Sequence, residues 1–279
     1  MKKIDKPNFS VADVLLDCID NLQNQTLKQE LIDSTNQFTI AETDFDNKIS
    51  SNTLYQIPQN AIISNTINES VLKGIYTDRM VNKKNIGRVY YDSIFISAPN
   101  GRCPFCSVKQ VRTLDHYLPK SKYPILAITP NNLVPSCSDC NKDKLVDSPT
   151  NSEEETLHPY FDDIENFDWL KARIITLNPI KFEYFILPPN EWTDLLKTRL
   201  INHFSAYLLN DLYSIHAVEE FENIKQQLTK LYQTVGASQL KEHLLDGYKS
   251  RYSVNKNSWQ TAFYNCLYNN EDFCNGKFI

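Results

Sequence analysis

No run of eighteen or more apolar residues occurs anywhere in this 279-residue chain, so no segment is long enough to span a bilayer as a helix. Nor is there a secretory core: the short apolar stretch of MKKIDKPNFSVADVLLDCID is broken by Asp13 and Asp17, and the expected compartment is the cytoplasm. A disulfide framework is missing too. Of seven cysteines, four form two C-x-x-C pairs, while Cys18, Cys266 and Cys274 are scattered, odd in number and read as small buried hydrophobes. Internal repeats and low-complexity tracts are absent. Positive charge is scarce overall, with a net charge of −5, so the expected unaided affinity for a phosphate backbone is weak.

The charge that exists is unevenly placed. Residues 1–98 carry ten Lys/Arg against twelve Asp/Glu, residues 99–150 seven against four, and residues 151–279 twelve against eighteen. The cysteine segment is the basic part of an acidic chain, so a phosphate-bearing partner would be met there.

Apolar residues at helical spacing in VADVLLDCIDNL and NTINESVLKGIYTDRMV predict a helical segment over 1–98. Pro99, Asn100 and Gly101 break that pattern and open a second region, 99–165. The third, 166–279, starts with a β-hairpin near 172–187, around Asn178-Pro179, and returns to helical period through TDLLKTRLINHFSAYLLNDLYSIHAVEEF and beyond. The expected fold class is α+β, mainly α: a small mixed motif between two helical segments.

The cysteines lie in CPFC (103–106) and CSDC (137–140), separated by thirty residues. Each C-x-x-C turn places two thiolates on one side of a tight loop, so Cys103, Cys106, Cys137 and Cys140 form a closed tetrahedral set of the structural zinc type. The gap has its own pattern: a short strand over Val111–Tyr117, a loop, a second strand over Asn132–Pro135, then a helix capped by Ser138 or Asp139 and stopping before Pro149. Asn141 and Lys144 stand three apart on one face at its amino-terminal end, where free N–H groups favour a phosphate.

The ordered series C-x-x-C, L-D-H-Y-x-P-K and N-L-V-P-S-C-x-x-C-N-x-x-K, over residues 101–147, resembles the HNH nucleases of the ββα-metal (treble-clef-like) fold, specifically their four-cysteine zinc branch. The Asp-His pair and downstream Asn are similar to the HNH domain of CRISPR effectors and to phage endonuclease VII. With LHPYFDD and NSWQTAFYNCLYNNEDF, the longer chain looks like bacterial HNH proteins of anti-phage defence loci, of the PtuB-like type, that accompany an ATPase.

The resemblance implies a DNA endonuclease that leaves a 5′-phosphate and a 3′-hydroxyl. His116 would be the general base, Asp115 and Asn141 the ligands of one Mg²⁺ or Mn²⁺, and Asn132 the residue that fixes the histidine loop. Lys144 would place charge near the phosphate, with Lys120 and Lys122 further along the DNA backbone. A neutral imidazole suits the base, and hard oxygen donors suit the cation.

Three questions stay open at this level. Asp115 and His116 are neighbours, and neighbours on a regular strand point to opposite faces. Asn131 competes with Asn132 for the loop role, and His158 fits either an extension of the site or a packed loop histidine. His203, His216 and His243 fall in helical stretches and read as structural. The rival class is a zinc-dependent adaptor that displays a basic loop to nucleic acid or protein without catalysis. No recognition helix is evident, so weak sequence preference is expected. A partner ATPase and self-association are the partners to look for besides DNA.

Overall fold

The computed structural model describes residues 1–143 and 148–279. These divide into two compact units, Met1–Asp162 and Asp163–Ile279. The elements are α1 (Val11–Ile19), α2 (Gln25–Asp33), α3 (Thr35–Ser50), α4 (Glu69–Gly74), α5 (Arg88–Ile96), β1 (Thr113–His116), β2 (Leu133–Ser136), α6 (Ser138–Asp143), β3 (Leu170–Leu177), β4 (Ile180–Ile186), α7 (Asp194–Ala206), α8 (Leu209–Tyr252), α9 (Trp259–Asn269) and α10 (Glu271–Cys274). The protein is mainly helical, with two small antiparallel sheets, β1–β2 and β3–β4.

In the first unit, α1 begins on a capping box. The Ser10 hydroxyl accepts from the Asp13 N–H at 3.2 Å, and the Asp13 carboxylate accepts from the Ser10 N–H at 2.9 Å. Glu42 of α3 accepts from another first-turn donor, the Val11 N–H, at 3.0 Å. Val11, Val14, Leu15, Cys18 and Ile19 then fall on one buried face. Each large apolar side chain so buried contributes about 1.5–3 kcal/mol before conformational entropy is set against it. That face joins Phe38, Leu72, Tyr76 and Ile94 in one core with Leu114, Ala127, Ile128 and Leu133. The amino-terminal helices and the strands of the cysteine segment therefore share a single hydrophobic interior.

Directly after α4 the chain winds into a π turn over Ile75–Met80, in which the Tyr76 carbonyl accepts from the Val81 N–H at 2.9 Å. Farther on, Gly87 lies against α1: a Cβ there would come within 2.3 Å of the Cys18 sulfur. Burial pushes the Cys18 thiol up to about 12, as expected of a packed rather than reactive cysteine.

The second unit is built on the β3–β4 hairpin, which packs against α8 and α9. Its strands lie close to the expected span around Asn178-Pro179. Asn257 seals the strand entry, its side-chain oxygen accepting from the N–H groups of Trp169 (2.8 Å) and Leu170 (3.2 Å). The helical run after the hairpin is not continuous. It breaks between α7 and α8, where Leu208 takes φ 49°, and again inside α8 at Gly236, φ 87°. His203 is fully buried against Tyr207, and His216 stacks on Trp259 with ring centroids 5.6 Å apart. No helix among the described residues is long and apolar enough to cross a membrane.

Candidate metal centre and the histidine beside it

Local backbone geometry brings the first cysteine pair together. Gly101 and Ser107 adopt positive φ (65° and 59°), and a bridge pairs Arg102 with Gln110. Within this turn the Cys103 N–H donates to the Lys109 carbonyl at 2.8 Å, and the Ser107 N–H donates to the Cys103 carbonyl at 2.7 Å. The second pair straddles the end of β2 and the first turn of α6. Each pair has an N–H···S contact from the residue three positions on: Lys109 N–H to Cys106 Sγ at 3.5 Å and Cys140 N–H to Cys137 Sγ at 3.4 Å. An ion pair between Lys109 and Asp139 ties the two turns to each other.

The four sulfurs are buried and lie within 4.8 Å of one another. Tetrahedral zinc thiolates with bonds near 2.3 Å separate sulfurs by roughly 3.8 Å, so the cluster matches the size of one zinc ion. All four donors are soft thiols, the set that favours zinc, and four protein ligands leave no coordination position for a substrate. These cysteines can hold a zinc ion.

Between the pairs, β1 and β2 run antiparallel, with Asp115 opposite Val134 and His116 opposite Leu133. The strand–strand–helix order expected from sequence is the order observed, and α6 packs on β1. His116 is the last residue of β1. Its Nε2 lies 2.9 Å from the Ala127 carbonyl oxygen. A carbonyl only accepts, so in the neutral ring Nε2 carries the proton and Nδ1 the lone pair.

The Tyr76 ring, from the π turn, meets the imidazole edge-on with centroids 4.4 Å apart. The Tyr76 phenol is itself pushed up by burial, with the neighbouring Tyr91 and Asp115 adding to the effect. His116 thus meets this tyrosine at the point where the strand ends.

Asn132 is fully buried and holds the chain that follows the histidine. Its Oδ1 accepts from the Leu118 N–H at 2.7 Å, while its Nδ2 donates to the carbonyls of Leu118 at 3.0 Å and Leu126 at 3.1 Å. Its own carbonyl accepts from the Tyr117 N–H at 2.7 Å. Asn131 does something else, donating to both carboxylate oxygens of Asp46 at 2.9 Å.

Lys120 places its ammonium 4.4 Å from the Tyr76 ring centroid. Burial, and then the like charge of Lys73, lower its affinity for a proton. No carboxylate among the described residues pairs with it. Lys122 is half-buried, its carbonyl accepting from the Asn60 N–H at 2.6 Å. Asn141 is exposed on α6. Lys144 lies outside the described residues.

His158 is fully buried in an aromatic cage, with ring centroids of Tyr117, Phe161 and Tyr160 at 4.3, 5.2 and 5.3 Å. Its Nδ1 accepts from the Tyr160 N–H at 3.1 Å. The imidazole is packed among these rings. Tyr76, by contrast, had no signal of its own: in GIYTDRMV it is one apolar position in a helical pattern.

No protein-family model matches the chain, and no solved structure does. Along almost its whole length, 99% of this chain and 100% of the relative, it is 26% identical over 297 residues to protein ea31 of Escherichia phage lambda. A shorter stretch of 63 residues is 32% identical to the Septu protein PtuB of Bacillus thuringiensis, covering 21% of this chain and 24% of that protein.

Proposed function

We propose that this protein is a metal-dependent endonuclease of the HNH type that hydrolyses DNA phosphodiester bonds, with Asp115 and His116 at its reacting centre. The observation that carries the reading is the His116–Ala127 hydrogen bond. It fixes the neutral ring with its proton on Nε2, on a residue whose sequence neighbour is a buried carboxylate, inside a two-strand-and-helix motif that carries four clustered cysteines. The ordered L-D-H and C-N-x-x-K motifs support the same assignment, as does the partial similarity to PtuB.

In this reading the sulfurs hold zinc as a structural clamp, and the ββα-metal fold is what that clamp closes. His116 takes the proton of an attacking water at Nδ1, while Asn132 holds the loop through Leu118 and Leu126 so that the imidazole keeps its orientation. Asp115 and Asn141 would hold one Mg²⁺ or Mn²⁺, which supplies positive charge to the phosphate and to the leaving 3′-oxygen. Lys120 and Lys122 line the backbone path, and Lys144 adds a charge nearer the scissile phosphate. Products carry a 5′-phosphate and a 3′-hydroxyl. We read the chain as a cytoplasmic anti-phage effector that works with a partner ATPase and recognises little sequence.

Plasmid nicking in Mg²⁺ or Mn²⁺, by the wild type and by His116→Ala, tests this. The substitution should cost on the order of a hundredfold or more in rate with zinc content unchanged. Cleavage that survives it at full rate removes His116 from the mechanism. DNA binding without any metal-dependent cleavage is the outcome expected of a zinc-built adaptor.

A further inference from the structure

A histidine that serves as a base must be held in one orientation. The Ala127 carbonyl at Nε2 and the Tyr76 ring at 4.4 Å both restrain His116. The first comes from within the motif. The second comes from the amino-terminal helical segment, at the π turn where Tyr76 accepts the bond from Val81. π turns interrupt α-helical spacing and recur at functional sites. The same ring carries the Lys120 ammonium, 4.4 Å from its centroid, which has no carboxylate partner among the described residues. A cation held on an aromatic face keeps its charge available to an anion that arrives later. Beside it, Lys73 and Lys120 line a cleft of about 530 Å³ with Glu69, Asp78, Ser70 and Thr77, and Lys73 is paired there with Glu69 at 2.6 Å.

We propose that Tyr76 is a positioning residue for the site: its ring fixes the His116 imidazole and holds the Lys120 ammonium next to it, so that base and phosphate grip share one support. The proposal rests on the nuclease reading for its consequences in rate, but the geometry it asserts can be measured without catalysis. It also gives the amino-terminal helices a task at the site beyond packing.

The test uses the full-length zinc-loaded chain and three variants: Tyr76→Phe, which keeps the ring, and Tyr76→Met and Tyr76→Leu, which remove it. In the wild type, nitrogen-15 shifts of His116 at mildly alkaline pH, identified by their loss in His116→Ala, should show one protonated Nε2 and one bare Nδ1. Ring protons of His116 should carry a ring-current shift from the tyrosine ring. Tyr76→Phe should retain both signatures, and the ring-less variants should show a mixture of tautomers and lose the ring-current shift.

In plasmid nicking the ring-less variants should lose kcat by roughly tenfold to a hundredfold, the loss expected when a reacting group is misplaced by about an ångström. They should also raise KM, whereas Lys120→Met should raise KM alone. A wild type without the ring-current shift overturns the proposal even where no ring-less variant folds. So does a folded ring-less variant that keeps the single tautomer, whatever its rate. If the wild type cleaves no DNA while both spectroscopic signatures behave as stated, the nuclease reading fails and the positioning role of Tyr76 stands.

Discussion

The Asn132 side chain grips the backbone of Leu118 at both ends, accepting its N–H at 2.7 Å and donating to its carbonyl at 3.0 Å. A third bond to the Leu126 carbonyl, at 3.1 Å, closes the loop that follows His116. Asn132→Ala removes all three partners from a fully buried site, leaving backbone groups unsatisfied at about 1–3 kcal/mol each. The expected loss is about 3 kcal/mol in denaturant unfolding, with an unchanged m-value. Asn132→Asp should do no better, since it keeps the acceptor but loses both donated bonds and buries a charge.

The four sulfurs form one site, so losing one ligand should lose the metal. Wild-type protein is expected to carry one zinc per chain by elemental analysis, and Cys103→Ser well under one. Because folding and metal binding are coupled in closed thiolate sites, the variant should also melt at lower temperature, as should wild type dialysed against a chelator. A Cys103→Ser protein with full zinc and unchanged melting contradicts the assignment.

Glu42 accepts the Val11 N–H, and burial raises its carboxyl to about 7, well above the 4.5 of an ordinary glutamate. A raised carboxyl means that the folded state holds a proton the unfolded chain releases. This contribution is complete below pH 4.5 and is lost as pH rises through 7. Glu42→Gln keeps an oxygen for Val11 and does not titrate. The melting temperature of the variant should therefore gain on wild type as pH rises across that window and level off above it. A difference constant with pH would show that Glu42 is not the titrating group.

The proposed nuclease reading gives Lys120 and Lys122 to the DNA backbone rather than to bases. Replacing either by Ala should weaken binding equally for unrelated sequences. Each should lower the slope of log affinity against log salt concentration by about one. A loss that depends on sequence would mean base reading instead.

Some of this was legible in advance because it is encoded locally. C-x-x-C specifies a turn wherever it occurs, so the two knuckles and a cysteine cluster able to hold one zinc ion could be read from spacing. The hairpin around Asn178-Pro179 likewise follows from period and turn residues within a short stretch. The choice between Asn131 and Asn132 was not legible, since it depends on Asp46 and Leu118, distant partners that no local pattern names. His158 was ambiguous for the same reason. Its cage draws on Phe45 and Tyr117 as well as on its own loop.

By itself, then, the sequence determined the cysteine set, the strand–strand–helix order and the chemistry available to Asp115, His116 and Asn141, because these depend on residue type and short spacing. Only the tertiary structure decided that His116 turns its Nε2 to Ala127 and that Tyr76 stands against its ring. Those contacts arise where β1 ends inside a core shared with the amino-terminal helices, and a shared core is a property of packing between segments far apart in the chain.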